Sequence, residues 1–295
     1  MNPDSLVKLL TIAGLVSIML SVGMQVKIDE VAAAIRKPRL VVFGIVANFL
    51  LVPAATIGLL YMFDANPMVA VGFLILAVCP GAPVGPPFAA VARGDVACAI
   101  GQMMILACLS AVLSPALLSL LISRLVPSGD LHIDYVAIVR TLLFAQILPL
   151  AVGLEAHRRA PKFTGRIARP VGLLANLLLL AAIGLMLASQ YKTLETIRLR
   201  GWFGMFLLQA VSLGIGWLCG GPGRATRKTL ALTTGARNAA VALVIVSSNF
   251  AGTPAVTAVI ACGLVSILGT LACAWLLANV REASAVQPSG NGPGP

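Results

Sequence analysis

The chain has 295 residues, of which 59% are hydrophobic and 11% are charged, and its mean hydropathy is +0.98. Soluble globular domains carry about 25% charged residues, so this composition excludes an ordinary water-soluble fold. The 21 Lys and Arg against 10 Asp and Glu give a net charge of +11. Because aromatic residues make up only 5%, we predict that the partner is a lipid bilayer and that no nucleic acid is bound.

Nine apolar runs are long enough to cross a hydrocarbon core of about 30 Å as helices, which takes roughly 20 residues each. They are 5–26, 39–62, 68–92, 96–123, 134–156, 168–190, 202–221, 226–250 and 254–280. Backbone polar groups in lipid need partners within the protein, and these runs are too long for barrel strands. We therefore predict an all-α polytopic membrane protein with nine transmembrane helices. Residues 282–295 are polar and rich in Gly and Pro, which predicts a disordered tail.

The distribution of basic residues between the runs predicts an orientation. With the N-terminus outside, fourteen Lys and Arg lie in the inner segments or at the inner ends of runs and four in the outer segments, while three others lie within runs. An excess of Lys and Arg is typical of cytoplasmic segments. We expect a cell-membrane protein with its N-terminus outside and its C-terminus in the cytoplasm. Segment 191–201 holds three of the four outer basic residues and argues the other way.

The third run is interrupted by the sequence CPGAPVGPP, residues 79–87, which contains four prolines and two glycines. Proline removes a backbone donor and clashes with the preceding helical turn, and glycine leaves the backbone bare. An unbroken helix therefore cannot continue here, and the freed backbone groups must face protein or water.

The eighth run has a matching interruption, TTGARNAA, in which Gly235-Ala236 echoes Gly81-Ala82. Paired interruptions in two halves of a chain are typical of secondary transporters built on an inverted repeat, with the binding site near the midplane. We predict a first repeat over 1–126, with its interrupted helix at 68–92. A second repeat over 127–281 has its interrupted helix at 226–250, and its first helix has no counterpart in the first repeat.

Enzymatic and metal-binding signatures are absent from the sequence. Neither His132 nor His157 lies in an apolar run, and there is no H-E-x-x-H or G-x-S-x-G motif. The six cysteines form no C-x-x-C pair. We predict that the chain is not an enzyme and needs no metal or cofactor.

Four segments resemble the bile acid:sodium symporter family, and the resemblance runs from about Ile18 to Leu277. They are GMQVKIDEVAAAIRKPR, GIVANFLLVPA, CPGAPVGPPFAAVARGD and TTGARNAAVALVIV. The resemblance implies nine or ten helices, a panel of outer helices, and a core domain in which the two interrupted helices cross.

The resemblance fails at the residues that bind sodium in the family. There the breaks follow C-P-G-G-x-x-S-N and E-x-G-x-Q-N, whose Ser, Asn, Glu and Gln are ligands. The matching positions of this chain are Asn48, Gly85, Pro86, Ala99, Met103, Thr233 and Arg237. Only Asn48 keeps a ligand, whereas Arg237 stands at the Gln position. Hard cations such as sodium need several oxygen ligands, so we predict that sodium is not bound.

The sequence thus predicts a secondary transporter for a small organic anion, a carboxylate or a sulfonate, working by alternating access. We expect it to be independent of sodium, with Arg237 permanently supplying the positive charge of the ion. Direct pairing of Arg237 with the substrate and a snorkelling side chain are the alternatives for this residue. The expected substrate contacts between core and panel are Asn238, Ala239, Arg237, Pro83 and Gly85. Two other functions stay open: an arsenite-type exporter of the same superfamily, suggested by Cys79, or a membrane receptor that binds a ligand without transporting it.

Overall fold

A computed structural model describes residues 3–125, 134–195 and 199–279, and every regular element in these ranges is helical. The helices are α1 (Pro3–Gly23), α2 (Ile28–Ile35), α3 (Pro38–Val46), α4 (Val52–Met62), α5 (Pro67–Ala77), α6 (Gly85–Val91), α7 (Val96–Leu125), α8 (Tyr135–Leu142), α9 (Leu148–Arg159), α10 (Pro161–Glu195), α11 (Leu199–Cys219), α12 (Arg224–Gly235), α13 (Ala239–Asn249) and α14 (Pro254–Asn279). The predicted all-α fold is confirmed. The predicted tail, 282–295, lies outside the described residues.

Prolines set several helix boundaries. Pro38, Pro67, Pro161 and Pro254 are the first residues of their helices, where the missing N–H would have no helical partner in any case. Two π-helical turns, Ala47–Leu51 and Leu143–Ile147, join α3 to α4 and α8 to α9. A proline follows each turn at the start of the next helix. The second and fifth apolar runs therefore continue as single bent helices.

Eight helical stretches in the described part of the chain are long and apolar enough to cross a membrane. They are Ser5–Gly23, Pro38–Met62, Val96–Ser123, Tyr135–Arg159, Pro161–Ser189, Leu199–Cys219, Arg224–Asn249 and Pro254–Asn279. The chain is thus a polytopic membrane protein. The third predicted run is divided between α5 and α6, each too short to span alone, so the count of nine stays a prediction. Helix α10 extends beyond its predicted run, 168–190, because its first turns are helical but polar.

The helices pack in two groups. Helix α1 lies along α9 and α10, and these helices with α8 are named the panel group. In the second group, named the core group, α5 packs along α14, α11 along α12, and α6 along α7 and α12. The groups meet where α1 contacts α13 and α7 contacts α8. The division into two inverted repeats stays a prediction.

The share of buried residues distinguishes the helices in the middle of the bundle from those on its lipid-facing side. In the most apolar window of Arg224–Asn249, which covers α12 and α13, 94% of the residues are buried. The corresponding share is 17% for Pro161–Ser189 in α10, where leucines such as Leu173 and Leu177 are each 65% exposed. The second interrupted helix therefore runs through the centre of the core group, and α10 presents its apolar side chains to lipid.

Candidate functional site

The first break separates α5 from α6 within the core group. Helix α5 ends at Ala77, and the chain turns through Gly81 at a φ of +80° before α6 begins at Gly85. A Cβ atom on Gly81 would lie 2.5 Å from the backbone nitrogen of Ala107 in α7. Glycine is required here because the conformation is left-handed and because the backbone of α7 is so close.

The second break is shorter and ends in a helix cap. Helix α12 ends at Gly235, Ala236 is extended, and Asn238 is the N-cap of α13. The Oδ1 atom of Asn238 accepts a hydrogen bond from the backbone N–H of Val241 at 3.2 Å. An asparagine cap of this kind satisfies one of the free N–H groups at a helix start.

The two breaks cross and bond to each other. Four carbonyls of the first break, or at its edge, accept hydrogen bonds from other segments. These are Ala77 O from Arg237 Nη1 (3.2 Å), Val78 O from Ser114 Oγ, Cys79 O from Asn238 N (2.8 Å) and Gly81 O from Asn238 Nδ2 (3.3 Å). Three of the four donors belong to the second break. These four carbonyls are thus satisfied inside the protein, as a membrane interior requires.

Arg237 is 5% exposed and lies where two helices end. It bonds to the last residue of α5 and follows the end of α12 by two residues. Its backbone N–H donates to Ser266 Oγ at 3.2 Å, and that hydroxyl donates to Gly235 O at 2.8 Å. The C-terminal ends of both helices place partial negative charge beside the guanidinium. In the described ranges Arg237 forms no ion pair, and its Nη2 atom has no hydrogen-bond acceptor.

The positions that match the family's sodium ligands offer few oxygens. Asn48 lies in the first π-helical turn, and its Nδ2 donates to Gly44 O at 2.9 Å and to Thr234 Oγ1 at 3.3 Å. Its Oδ1 atom is buried without a partner among the residues that the structure describes. Thr233 Oγ1 donates to Thr229 O within its own helix at 2.9 Å.

The other positions of the set have no side-chain oxygen. Gly85 lies beside Thr233, since a Cβ atom added to it would be 3.3 Å from Thr233 Cγ2. Pro86, Ala99 and Met103 are buried. Across 3–125, 134–195 and 199–279, no group of three or more His, Cys, Asp or Glu side chains is placed to hold a metal ion.

A cavity of about 660 Å³ lies between the panel and core groups and is named the interface cavity. Its core wall contains Pro83, Pro86, Pro87, Ile100 and Met103. Its polar lining on the other side comes from Ser21, Gln25, Glu30, Arg169 and Asn176. Of the five predicted substrate contacts, Pro83 alone lines this cavity.

Arg237 lines a different cavity, of about 20 Å³, which is named the arginine cavity. Its lining residues are Val52, Phe73, Leu76, Ala77, Met205, Leu208, Gln209, Ser212, Arg237, Cys262 and Ser266. Arg237 and Pro83 were predicted to share one site, but they line different cavities that have no lining residue in common. Asn238 is 1% exposed, and its side chain is bonded to Gly81 in the first break and to Val241 in α13.

Ser114 and Ser266 hold the crossing together and were not predicted from the sequence. Each donates to a carbonyl at the end of an interrupted helix, Val78 O and Gly235 O respectively. Serines within long apolar helices are a general signal for such bonds, but the signal does not name the partner.

Comparison with known proteins identifies the family. Residues 12–197, more than half of the chain, match the sodium bile acid symporter family. An uncharacterized sodium-dependent transporter of Bacillus subtilis (strain 168), YocS, is 21% identical over 277 residues, which are 93% of this chain and 85% of the relative. The probable sodium/metabolite cotransporter BASS2, chloroplastic, of Oryza sativa subsp. japonica is 25% identical over 241 residues, 80% of this chain and 56% of the relative.

A third relative is the ileal sodium/bile acid cotransporter of Cricetulus griseus. It is 26% identical over 237 residues, which are 79% of this chain and 67% of the relative. The family consists of membrane transporters and not of enzymes. With its two crossing breaks and the match over most of its length, the chain belongs to the sodium bile acid symporter family and is a secondary transporter.

Proposed function

We propose that the chain transports a small organic anion, a carboxylate or a sulfonate, without sodium. The observation that carries the proposal is the position of Arg237, which donates to the last carbonyl of α5 and follows the end of α12. The relatives named above are called sodium-dependent transporters or sodium cotransporters. In this chain a fixed cation stands at one of the positions that match their sodium ligands.

The electrostatics of the crossing favour a cation at this point. A helix C-terminus is equivalent to roughly half a negative elementary charge, so the end of α5, whose last carbonyl Arg237 contacts, favours a positive charge at this point. An arginine side chain is always protonated and offers five N–H donors in a planar fork. Arg237 therefore supplies at all times the charge that a bound sodium ion would supply only while it is bound.

A sodium ion finds few ligands at the crossing. The positions Gly85, Pro86, Ala99 and Met103 have no side-chain oxygen. A hard cation needs several oxygen ligands, usually with a carboxylate to offset its charge. The guanidinium of Arg237 also repels a second cation. These features support transport that is independent of the sodium gradient.

The interface cavity is the proposed substrate site. A volume of about 660 Å³ suits a small organic molecule. Arg169 provides a cation for the carboxylate or sulfonate, and Asn176 provides an amide donor. The carboxylate of Glu30 lines the same cavity but accepts a hydrogen bond from the backbone N–H of Lys27 at 3.1 Å.

Alternating access follows from movement of the panel group against the core group. In the proposal, Pro83 contacts the substrate in the described state. We propose that Gly85, Asn238 and Ala239 become accessible to the substrate when the groups separate, whereas Arg237 stays in the crossing as its fixed charge. We place the protein in the cell membrane with the N-terminus outside, because most Lys and Arg between the predicted spans then face the cytoplasm.

Uptake into proteoliposomes tests the proposal. Purified protein is reconstituted, and a panel of radiolabelled carboxylates and sulfonates is offered with sodium outside, with choline in place of sodium, and with a proton gradient. Arsenite is added to the panel to test the exporter alternative. We expect uptake of at least one organic anion at equal rates in sodium and in choline. A strict sodium requirement contradicts the role of Arg237, and saturable binding without flux or exchange indicates a receptor.

A further inference from the structure

The arginine cavity has the size and the lining of a site for one small ion. Its volume of about 20 Å³ is sufficient for a single particle of the size of a water molecule. Ala77, whose carbonyl accepts from Arg237 Nη1, lines the same cavity, which places the guanidinium at the cavity wall. The cavity therefore lies directly against a buried charge.

This cavity adjoins a buried cationic donor that has no acceptor among the described residues. The guanidinium contributes Nη2, which has no acceptor among the described residues, and Ser212 contributes a hydroxyl. Gln209 Nε2 bonds to Thr270 Oγ1 at 2.9 Å and has a second hydrogen. The carbonyl of Ala77 already accepts a hydrogen bond from Arg237, and no carboxylate lines the cavity.

The end of α5 offsets only part of the charge of Arg237, and the Nη2 atom is left without an acceptor among the described residues. A buried donor without an acceptor is costly, and a buried charged donor is more costly still. A particle that only accepts hydrogen bonds, and that carries negative charge, satisfies both demands. A water molecule is the competing occupant, since the oxygens of Gln209 and Ser212 can accept its hydrogens, and the chloride titration below separates the two.

A second cavity gives this site a route to solvent. It has a volume of about 500 Å³ and extends to Asp64 and Asn66 in the loop between α4 and α5, so it is named the loop cavity. Phe73, Met205 and Leu208 line both the loop cavity and the arginine cavity. One layer of flexible apolar side chains therefore separates the two. The interface cavity has no lining residue in common with either of them.

We propose that the arginine cavity binds one halide-sized monovalent anion, which enters through the loop cavity and pairs with Arg237. The inference rests on the proposed function only in assigning Arg237 as the fixed charge of the crossing. It adds a bound anion to the core group, at a site separate from that of the transported substrate.

The test measures chloride binding without substrate or transport. The thermal stability of purified protein in detergent micelles is followed while chloride replaces gluconate at constant ionic strength, with choline as the cation. A ligand that binds the folded state alone raises its melting temperature in a saturable way. We expect this rise for chloride and for bromide. Anomalous diffraction from crystals grown in bromide should place one bromine in the arginine cavity.

Two variants and one control locate the effect. Ser212→Val fills the cavity with methyl groups and leaves Arg237 in place, so the chloride-dependent rise should be lost. Arg237→Met should lose it as well. Lys228→Met removes another buried cation of the core group, which donates to Ala92 O at 3.0 Å away from this cavity, and should keep the rise.

The inference is overturned if the melting temperature is the same in chloride and gluconate, which would assign the cavity to water. It is also overturned if Ser212→Val responds to chloride as the natural chain does. Neither result touches sodium-independent uptake, which is measured separately. A sodium requirement in the uptake assay would contradict the proposed function and leave the chloride titration intact.

Discussion

Both breaks leave backbone groups without helical hydrogen bonds, but the first break mainly offers acceptors and the second mainly offers donors. The first, from Cys79 to Pro87, is composed of Pro, Gly, Ala, Val and one Cys, and its carbonyls serve as acceptors. The second contains Arg237 and Asn238, which donate to those carbonyls through side chains and through the backbone. Acceptors on one break and donors on the other therefore join the two breaks directly.

This difference indicates where the crossing tolerates change. An unpaired backbone group in a membrane interior costs several kcal/mol, so each donor of the second break supports a carbonyl that has no alternative in lipid. In the described structure no side chain of the first break donates a hydrogen bond, so these residues contribute to the crossing through their shape. We therefore expect the first break to be sensitive to added volume and the second to lost donors.

The largest effect is expected at Gly81. In Gly81→Ala the new Cβ lies 2.5 Å from Ala107 N, and the residue must hold a φ of +80°. Strain of about 1–3 kcal/mol from the backbone conformation adds to about 1–3 kcal/mol from overpacking. We expect a loss of about 2–6 kcal/mol in the free energy of unfolding, measured by denaturation in mixed micelles.

Gly85→Ala is the matched control in the same break. Gly85 is helical, and its nearest atom to a new Cβ is the Thr233 methyl carbon at 3.3 Å. Alanine favours a helix over glycine by about 1 kcal/mol, which offsets the close contact. If both variants lose equal stability, the close approach of the first break to α7 is not what requires glycine.

The next effect is expected at Arg237. In Arg237→Met the Ala77 carbonyl loses its donor, and leaving a buried acceptor unpaired costs about 1–3 kcal/mol. We expect that loss of stability together with loss of uptake in proteoliposomes. Arg237→Lys keeps the charge but not the planar fork, so an intermediate rate is expected. Lys228→Met tests whether the loss of any buried cation has the same effect, and unchanged uptake by Arg237→Met would contradict the proposed role.

Asn238 should have a smaller effect, because its backbone contact to Cys79 O survives substitution. Asn238→Ala removes the cap on α13 and the donor to Gly81 O. Loss of a cap costs about 0.5–2 kcal/mol. Asn66→Ala is the control, since Asn66 caps α5 at an exposed position through Met68 N. Stability is measured in micelles for both, and an equal loss would mean that the bond to Gly81 contributes nothing.

The positions of the breaks were predictable because Pro and Gly act locally. The structure places them at 78–84 and 236–238, inside or beside the sequence motifs. The partners of the freed carbonyls were not predictable. Ser114 and Ser266 act because α7 and α14 pack beside the breaks, and sequence patterns do not specify which helices become neighbours.

The residues that line each cavity could not be predicted from the sequence either. Grouping Arg237 with Pro83 as substrate contacts assumed that both breaks face one space. The long Arg237 side chain instead reaches back to the end of α5, so it lines the arginine cavity while Pro83 faces the panel group. The direction of a side chain at a broken helix depends on the local backbone turn, which hydropathy and motif spacing do not report.

The smallest effect is expected at Lys37 and Asp95, which lie just outside the apolar spans, at the starts of α3 and α7. Asp95 N donates to Thr229 Oγ1 of α12 at 2.8 Å, and Lys37 Nζ lies 2.6 Å from Asp95 Oδ2. Burial pushes the pKa of Asp95 upward, but the hydrogen bonds from Lys37 and from Cys98 N–H outweigh it and hold the pKa below its usual value. The bond to Asp95 raises the pKa of Lys37.

The pH dependence follows from these two directions. A lowered carboxylate pKa gives stability that is present above its unfolded value of about 3.9 and is lost as the pH falls through the folded value. A raised lysine pKa gives stability that is present below about 10.4 and is lost as the pH rises through the folded value. Lys37 is about half exposed, so solvent screening limits the pair to at most about 1 kcal/mol.

Lys37→Met should therefore lower the stability slightly between about pH 4 and pH 10 and converge with the natural chain outside that range. Melting temperatures across the pH range measure the difference. Arg159→Met is the control, because its ion pair with Glu155 is exposed and joins no broken helix. If the melting temperatures of Lys37→Met and of the natural chain depend on pH in the same way, the ion pair between Lys37 and Asp95 contributes no stability, in contrast to the side-chain hydrogen bonds of the crossing.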